Sequence, residues 1–209
     1  TNLNGVTAVK FGGAVSVQFT IISNTQISAR VPVGANNGAI TVSKSACTDV
    51  QTGIFTVLQP QITVGQNTLN FGSVTVFRNL DRQLSIQNTG NATLTINSLI
   101  SSNLQYNIIG TTVPLSIAAG AQQVLTVRFA PGARGDQPAT LSIKSNDPVR
   151  PQVDVPLTGK GVAPVITATP GNLAFGNVAT NQRASLSLML KNVGDLPLNV
   201  TSLTSSDPQ

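Results

Sequence analysis

The sequence predicts an all-β protein made of tandem β-sandwich modules, and three observations carry this prediction. Apolar and polar residues alternate along short runs, clusters of Gly, Pro and Asn separate those runs, and one long segment recurs at a fixed offset. Hydrophobic residues make up 40% of the 209 residues, which is enough to build cores, while charged residues make up only 9%. A disordered chain would carry more charge or less apolar content.

The repeat aligns without gaps when Pro60 is placed on Pro164, an offset of 104 residues (164 − 60). The segment Leu69-Asn70-Phe71-Gly72 then matches Leu173-Ala174-Phe175-Gly176, and Asn88-Thr89-Gly90 matches Asn192-Val193-Gly194. Turn residues and apolar residues recur together, so one structural unit of about a hundred residues, the usual size of a β-sandwich, is duplicated. We expect a complete module at 60–162 and the N-terminal half of a second copy at 164–209, with a different module at 1–58.

The complete copy contains four runs with a period of two, and each run predicts a strand with one buried face. Turns or linkers are predicted at 88–91, 131–132, 146–148 and 159–161. Pro156 lies inside the last run and indicates that this strand is an edge there. The predicted buried positions are Leu84, Ile86, Leu125, Val127, Phe129, Ala139, Leu141, Ile143, Val153, Val155 and Leu157.

The first 58 residues show the same alternation of apolar and polar residues. Alternation of Val15, Val17, Phe19 and Ile21 predicts one continuous strand, and Ile27 to Val31 predict a second strand that Pro32 ends. Asn37-Gly38 is a hairpin signal. Phe55 and Val57 are expected to close the module before the Gln59-Pro60 linker.

Residues 1–58 resemble an IPT/TIG domain. The resemblance is carried by Val9-Lys10-Phe11-Gly12-Gly13, by 25–32 (Thr-Gln-Ile-Ser-Ala-Arg-Val-Pro), by Gly38-Ala39-Ile40-Thr41-Val42 and by Phe55-Thr56-Val57. The usual opening strands of that family are missing, and we interpret this departure as an N-terminal truncation.

Residues 60–162 resemble the bacterial choice-of-anchor D module, which is similar to ASPM/SPD-2/Hydin and MSP-like domains. The carrying residues are 69–72 (Leu-Asn-Phe-Gly), 88–90 (Asn-Thr-Gly), 127–131 (Val-Arg-Phe-Ala-Pro), 141–147 and 155–161. Both resemblances imply immunoglobulin-like sandwiches, and neither family has a universal catalytic residue to transfer. Bacterial members tend to be large surface or secreted proteins, and eukaryotic relatives are associated with cilia and centrosomes.

Composition excludes several kinds of chemistry. The chain has no His, so it has neither a His-dependent triad nor a zinc site of the Cys/His kind. The seven acids, all Asp, are scattered, and the single cysteine, Cys47, is expected to be a small apolar filler rather than a reactive thiol. The net charge of +5 comes from scattered single Lys and Arg residues, which argues against nucleic acid as a partner. We predict no catalytic, cofactor-binding or metal-binding residue and no enzyme activity.

Four short motifs allow a second interpretation. Asp147 is either a turn residue before Pro148 or a Ca²⁺ ligand, and Phe11-Gly12-Gly13 is either a tight turn or a phosphate loop. The two Leu-x-Phe-Gly motifs supply either a core Phe with a turn Gly or a ligand pocket. Asn91-Ala92-Thr93 and Asn199-Val200-Thr201 fit the N-glycosylation pattern, which arises easily by chance in such a composition. We favour the structural interpretation in each case.

The sequence therefore predicts a non-catalytic structural or adhesive spacer in a large bacterial surface or secreted protein, located outside the cell or on its surface. The expected partner is an unknown protein or glycan, without nucleic acid. No run of about 18 apolar residues is present, so no membrane insertion is predicted in this segment. Two alternatives stay open: accessory binding modules of a secreted multidomain enzyme, and a Hydin-type scaffold of the cilium or microtubule in the cytoplasm.

Overall fold

The computed structural model describes residues 2–16, 18–45 and 47–205, and it is all-β over those residues. The chain divides into two compact units, Thr1–Gln59 and Pro60–Gln209. Across the described ranges, no helix has the length and apolar character needed to cross a membrane.

Over the described residues, the first unit contains six strands arranged as two sheets. The strands are β1 Val6–Phe11, β2 Ala14–Val15, β3 Phe19–Ser23, β4 Gln26–Ala29, β5 Gly38–Lys44 and β6 Val50–Phe55. One sheet has the order β2-β1-β5-β6, and β3 pairs with β4 to form the other. Phe11 packs edge-on against Phe55, with ring centroids 5.2 Å apart, and Val6 and Val9 complete the buried core.

Two predictions for this unit are wrong. The expected continuous strand over 15–21 is split into β2 and β3, and Val15 is 51% exposed while Ser16 is buried. The Ser16 hydroxyl lies 2.8 Å from the Gln18 carbonyl oxygen and 2.6 Å from that of Arg30, so a hydrogen-bonded serine occupies an inward position. Val17 lies outside the described residues.

The second wrong prediction is the hairpin at Asn37-Gly38. The strands on either side of it do not pair, because β4 pairs with β3 while β5 pairs with β1 and β6. The Asn37 side chain instead accepts a hydrogen bond from the backbone N–H of Val57, at 2.6 Å, and so ties the end of the unit to the start of β5.

The second unit contains a sandwich at 62–162 followed by one further strand pair. Its strands are β7 Ile62–Val64, β8 Leu69–Thr75, β9 Leu80–Asn88, β10 Leu94–Ser101, β11 Tyr106–Ile109, β12 Leu115–Ile117, β13 Gln122–Phe129, β14 Gly135–Asp136, β15 Ala139–Ser145, β16 Gln152–Val162, β17 Ile166–Thr169 and β18 Met189–Asn192. One sheet of the sandwich has the order β12-β10-β15-β16, with β8 parallel to β16 and the short β14 beside it, and the facing sheet has the order β11-β13-β9-β7.

The core of this sandwich follows from the alternation in the sequence. Inward positions of β9, β13, β15 and β16 meet between the sheets, and all predicted core residues there are buried except Ala139, which packs partly buried at the edge of the cluster. Phe71, Tyr106 and Phe129 form an aromatic group, in which the rings of Tyr106 and Phe129 stack with centroids 4.5 Å apart. Burying large side chains of this kind dominates the energetics of a small core.

The segment 159–161 is not a turn, as the sequence suggested, but part of β16. Glycine is needed at 159 and 161 because other parts of the sandwich lie too close to the strand to leave room for a side chain. A Cβ on Gly159 would lie 2.6 Å from a ring carbon of Phe129, and one on Gly161 would lie 2.0 Å from the carbonyl oxygen of Ala133. Gly159 therefore lets the strand continue beneath the aromatic group, and Gly161 lets it pass close to the backbone of Ala133.

Pro156 is paired on one side, with Thr140 of β15, and the parallel ladder to β8 begins one residue later at Leu157. The strand as a whole is internal to its sheet, so the edge prediction is right only for the immediate surroundings of Pro156. A residue without an N–H is tolerated where a ladder has not yet begun.

Candidate functional site

The acidic side chains of the described chain are mostly engaged in pairs. Asp49 accepts from Lys10 at 3.2 Å, Asp81 receives two hydrogen bonds from Arg128 at 2.8 Å each, and Asp154 lies 2.7 Å from the Ser142 hydroxyl. The described residues contain no group of three or more His, Cys, Asp or Glu able to hold a metal ion.

Asp147 is a buried structural carboxylate. One oxygen accepts from the backbone N–H groups of Val149 and Arg150, at 2.8 and 3.0 Å, and the other accepts from that of Ile62, at 2.8 Å. Burial raises the pKa of this carboxyl and the three backbone donors lower it, with a net shift below the ordinary value of 3.8. The turn interpretation is confirmed, because both oxygens serve the backbone, and the turn is thereby tied to β7.

The glycine motifs also have structural roles. Gly12 and Gly13 have positive φ values of 55° and 89° in the tight turn between β1 and β2, and a Cβ on Gly12 would lie 1.8 Å from the Asn36 carbonyl oxygen. Phe71 is a core residue, and Gly72 bends the chain with a φ of 63°. The tight turn and the core Phe with a turn Gly are confirmed.

Cys47 corrects an expectation, because it is exposed in the turn after β5 rather than packed as an apolar filler. Its backbone N–H lies 3.4 Å from the Lys44 carbonyl oxygen, so the residue belongs to the surface turn. The asparagines of the two glycosylation-type patterns, Asn91 and Asn199, are exposed.

Asn88 anchors the turn that carries the repeat. Its side chain is fully buried, donates to the carbonyl oxygens of Ala92 and Ile117 at 2.7 and 3.0 Å, and accepts from the backbone of Gln61 and Gly90. An amide that both donates and accepts inside a core fixes the local path of several segments at once.

The second copy repeats this geometry. Ile166 pairs with Asn192 as Ile62 pairs with Asn88, and Asn192 bonds to Val165, Gly194 and Leu196 as Asn88 bonds to the equivalent residues. Backbone angles recur as well, since Gly176 has a φ of 62° and Asn181 a φ of 64°, against 63° at Gly72 and 65° at Phe77. The repeat at an offset of 104 residues is therefore present in the backbone conformation as well as in the sequence.

The two copies meet at a cluster of charged side chains, which we call the Asp195 clamp: Asp195, Arg134 and Lys160. Asp195 accepts from Arg134 at 2.9 and 3.0 Å and from Lys160 at 3.2 Å. Arg134 precedes β14 and Lys160 lies in β16, so both cations belong to the complete sandwich while the carboxylate belongs to the second copy. The hydrogen bonds from Arg134 and Lys160 hold the pKa of Asp195 below its ordinary value.

Backbone contacts surround the clamp. The N–H of Asp195 donates to the Ala163 carbonyl oxygen at 3.0 Å, and that of Val193 donates to Val165 at 2.8 Å. A Cβ on Gly194 would lie 2.3 Å from the Ala163 oxygen, so only glycine lets the turn lie flat on the linker. The carboxylate, the two cations and the linker backbone form one connected joint at 160–165 and 193–195.

The clamp is not predicted from the sequence, because its three charged residues lie far apart along the chain. One signal was available: the repeat places Asp195 where the first copy has Asn91 (195 − 104), and the charge appears only in the copy that follows a complete module. Its partners are separated from it by 61 and 35 residues, and no local spacing brings them together.

A second feature of this unit is an exposed apolar face on the second copy. Leu188 and Leu190 are 44% and 37% exposed, while the equivalent Leu84 and Ile86 are fully buried. Phe175 is 49% exposed against 2% for Phe71. Residues 164–205 correspond to 60–101, so the strands that cover these positions in the first copy, β13 and β15 among them, have no counterpart within the described range.

One known family is similar to the complete sandwich. Residues 59–162 match the family model described as Cep192 domain 4, which is 104 of the 209 residues. A search of curated protein sequences finds no significant match. The sheet order shows that residues 60–162 form an immunoglobulin-like β-sandwich, and the matched segment is similar to Cep192 domain 4. The IPT/TIG assignment of 1–58, the choice-of-anchor D assignment and the division into three modules stay predictions.

Several solved structures are similar to the chain at low identity. The ASH/PapD-like domain 7 of human CEP192 is 11% identical, and the alignment covers 57% of this chain and 96% of that domain with a TM-score of 0.43. A protein of unknown function from Porphyromonas gingivalis W83 is 16% identical over 75% of this chain and 80% of that one, with a TM-score of 0.44. WR4, an MSP family member of C. elegans, is 17% identical over 48% and 96%, with a TM-score of 0.34.

Proposed function

We propose that the chain is a non-catalytic spacer segment of a large bacterial surface or secreted protein, in which successive β-sandwich repeats are clamped end to end. The observation that carries this proposal is the Asp195 clamp, because it joins a complete module to the next repeat through side-chain and backbone contacts together. A spacer transmits position only if its joints resist bending, and a short linker with a network of contacts supplies that resistance.

The direction of the clamp suits a repeating stalk. Lys160 lies near the C-terminal end of one module, Arg134 lies beside that end because β14 pairs with β16, and the carboxylate lies in a turn that both copies share. A chain of such modules would need only an Asp at that turn and an Arg and a Lys at the preceding end. Networks in which two cations share one carboxylate order a joint better than isolated surface pairs do.

The chemistry of the remaining acids supports a structural role. Asp147 spends both oxygens on backbone donors, and the Asp81 carboxylate is held in a bidentate pair with Arg128. A surface of Ser, Thr, Asn and Gln suits contact with a protein or glycan outside the cell, which we propose as the partner class. The proposed location is the cell surface or the extracellular space.

The rigidity of the joint can be measured as a distance distribution between two spin labels. Cysteines would replace the exposed Lys144 on the sandwich and the exposed Met189 on β18, with Cys47→Ser removing the natural thiol. We expect one narrow distribution for the intact clamp and a broad one for Asp195→Ala. Asp81→Ala is the matched control, because it removes an ion pair inside the sandwich and leaves the joint unchanged. A broad distribution in the chain with an intact clamp would refute the spacer proposal.

A further inference from the structure

An apolar patch lies on the complete sandwich, where all the strands of the module are present. We call it the β11-edge patch: Ile100, Leu104 and Val113, which are 61%, 90% and 42% exposed. The three side chains line a cavity of about 320 Å³ together with Leu99, Tyr106 and Ile108, among others. The exposed leucines of the second copy differ, since they occupy core positions of the repeat. The patch has no such intramodular cover, and an exposed apolar cluster of this kind marks an interaction site.

Within the part of the chain that the structure describes, the patch is bounded by two strand edges that no further strand pairs with. β11 is the last strand of its sheet, and β10 pairs with β12 only over 94–96, which leaves Ser98–Ser101 open on that side. Because Ala130 donates to Gln105, the alternation of an antiparallel ladder points the N–H and C=O of Ile108 away from β13. Natural edges are protected by short strand length, by Lys or Pro, or by bulges; β11 is short, with four residues, but it has neither Lys nor Pro and pairs with β13 without a bulge.

The charge distribution favours a second copy of this chain as the partner. Residues 83–127 contain no Asp, Glu, Lys or Arg, although the whole chain carries +5. The nearest charged residue along β11 is Arg128, opposite Asn107, and it is paired with Asp81. Along β10, Lys144 lies opposite Ser98, and Ser142, opposite Ile100, donates to Asp154. The charges around the patch are therefore few and of both signs, whereas two copies of a cationic chain repel each other over most of their surfaces.

The patch also carries both halves of a self-complementary contact. Leu104 projects from the loop between β10 and β11 with 90% of its surface exposed, and it forms one wall of a cavity whose other apolar walls include Ile100 and Val113. A projecting side chain and a cavity on one surface satisfy each other when two copies meet about a two-fold axis. We propose that two copies of this chain associate through the β11-edge patch, with Leu104 of each entering the cavity of the other and the β11 edges pairing.

This proposal goes beyond the spacer role, because pairing of copies and rigidity of the joint depend on different residues. Sedimentation equilibrium of the 209-residue chain tests it, with Cys47→Ser present to exclude a disulfide dimer. We expect a concentration-dependent dimer, and Leu104→Asp should weaken it by at least about tenfold, since a buried charge replaces an apolar anchor. Val149→Asp is the matched control, because Val149 is 76% exposed and lies in a loop away from the patch.

A second variant separates the patch from the exposed face of the second copy. Leu188→Asp should leave the dimer unchanged if the patch mediates it. The proposal is overturned if the chain stays monomeric up to about 1 mM, if Val149→Asp and Leu104→Asp weaken the dimer equally, or if only Leu188→Asp abolishes it. Because Leu104 is exposed, its substitution should leave the unfolding transition in place, and the Tyr106 fluorescence of each variant verifies that the sandwich is folded.

Discussion

Replacing Asp147 with Asn should destabilise the complete sandwich by about 2–3 kcal/mol. The carboxylate accepts three backbone hydrogen bonds in a buried position. An amide keeps one acceptor oxygen and turns a donating NH₂ toward at least one of the three N–H groups, and each buried group left unsatisfied costs about 1–3 kcal/mol. Against a typical stability of about 5–15 kcal/mol, such a loss is a large fraction.

Urea unfolding followed by Tyr106 fluorescence measures this effect, because Tyr106 is the only Tyr, the chain has no Trp, and its ring lies in the sandwich core. With a slope of about 2 kcal/mol per molar urea, the midpoint should fall by about 1 M. Asp154→Asn is the matched control, since it makes the same change at an exposed residue on β16 and should shift stability by less than about 0.5 kcal/mol. Equal midpoints for Asp147→Asn and the unmodified chain would refute the assignment.

The difference in stability between the unmodified chain and Asp147→Asn should also depend on pH. The pKa of Asp147 is lower in the folded state than its ordinary value of 3.8, so its contribution is present above about pH 4 and is lost as the pH falls through the folded value. The stability of the unmodified chain should therefore converge on that of Asp147→Asn in acid. A constant gap from pH 7 to pH 2 would contradict this explanation.

Two further predictions concern single residues. Burial raises the pKa of Tyr106 to about 12, so the absorbance of tyrosinate should appear only near that pH. The stability that the neutral ring contributes should decline between pH 10 and 12. A titration midpoint near pH 10 in the folded protein would contradict the burial of Tyr106. Phe77 has a φ of 65° and is 86% exposed. Phe77→Asn should stabilise the module by about 1 kcal/mol, because Asn tolerates this backbone conformation, as Asn181 does at the equivalent position of the repeat. A loss of stability in urea unfolding would show instead that the Phe77 side chain makes a stabilising contact.

The sequence alone was sufficient to predict which residues form the core of the complete module. Alternation located the inward residues of β9, β13, β15 and β16, because a period of two leaves only one way to bury an apolar face. The repeat predicted the shared turn at Asn88 and Asn192, and the structure extends that likeness to the hydrogen bonds and the backbone angles.

Other features could not be predicted because they depend on contacts between distant residues. Gly159 and Gly161 look like turn residues locally, and only the position of Phe129 and Ala133 makes glycine necessary inside a strand. Ser16 occupies an inward position because two carbonyl oxygens from separate segments converge on its hydroxyl. The three charged residues of the Asp195 clamp lie far apart in the sequence, so nothing in their local spacing predicts that they meet.

Amide hydrogen exchange at residues 193–195 tests the clamp most directly. We expect Val193 and Asp195, whose N–H groups donate to Val165 and Ala163, to exchange slowly, like Thr89 in the first copy. The exposed residues 182–188 should exchange fast, and slow exchange should extend over the core strands of 60–161. Asp195→Ala should release the protection at 193 and 195 while leaving that of Thr89 unchanged. Fast exchange at Val193 and Asp195 in the unmodified chain would contradict a clamped joint between the repeats.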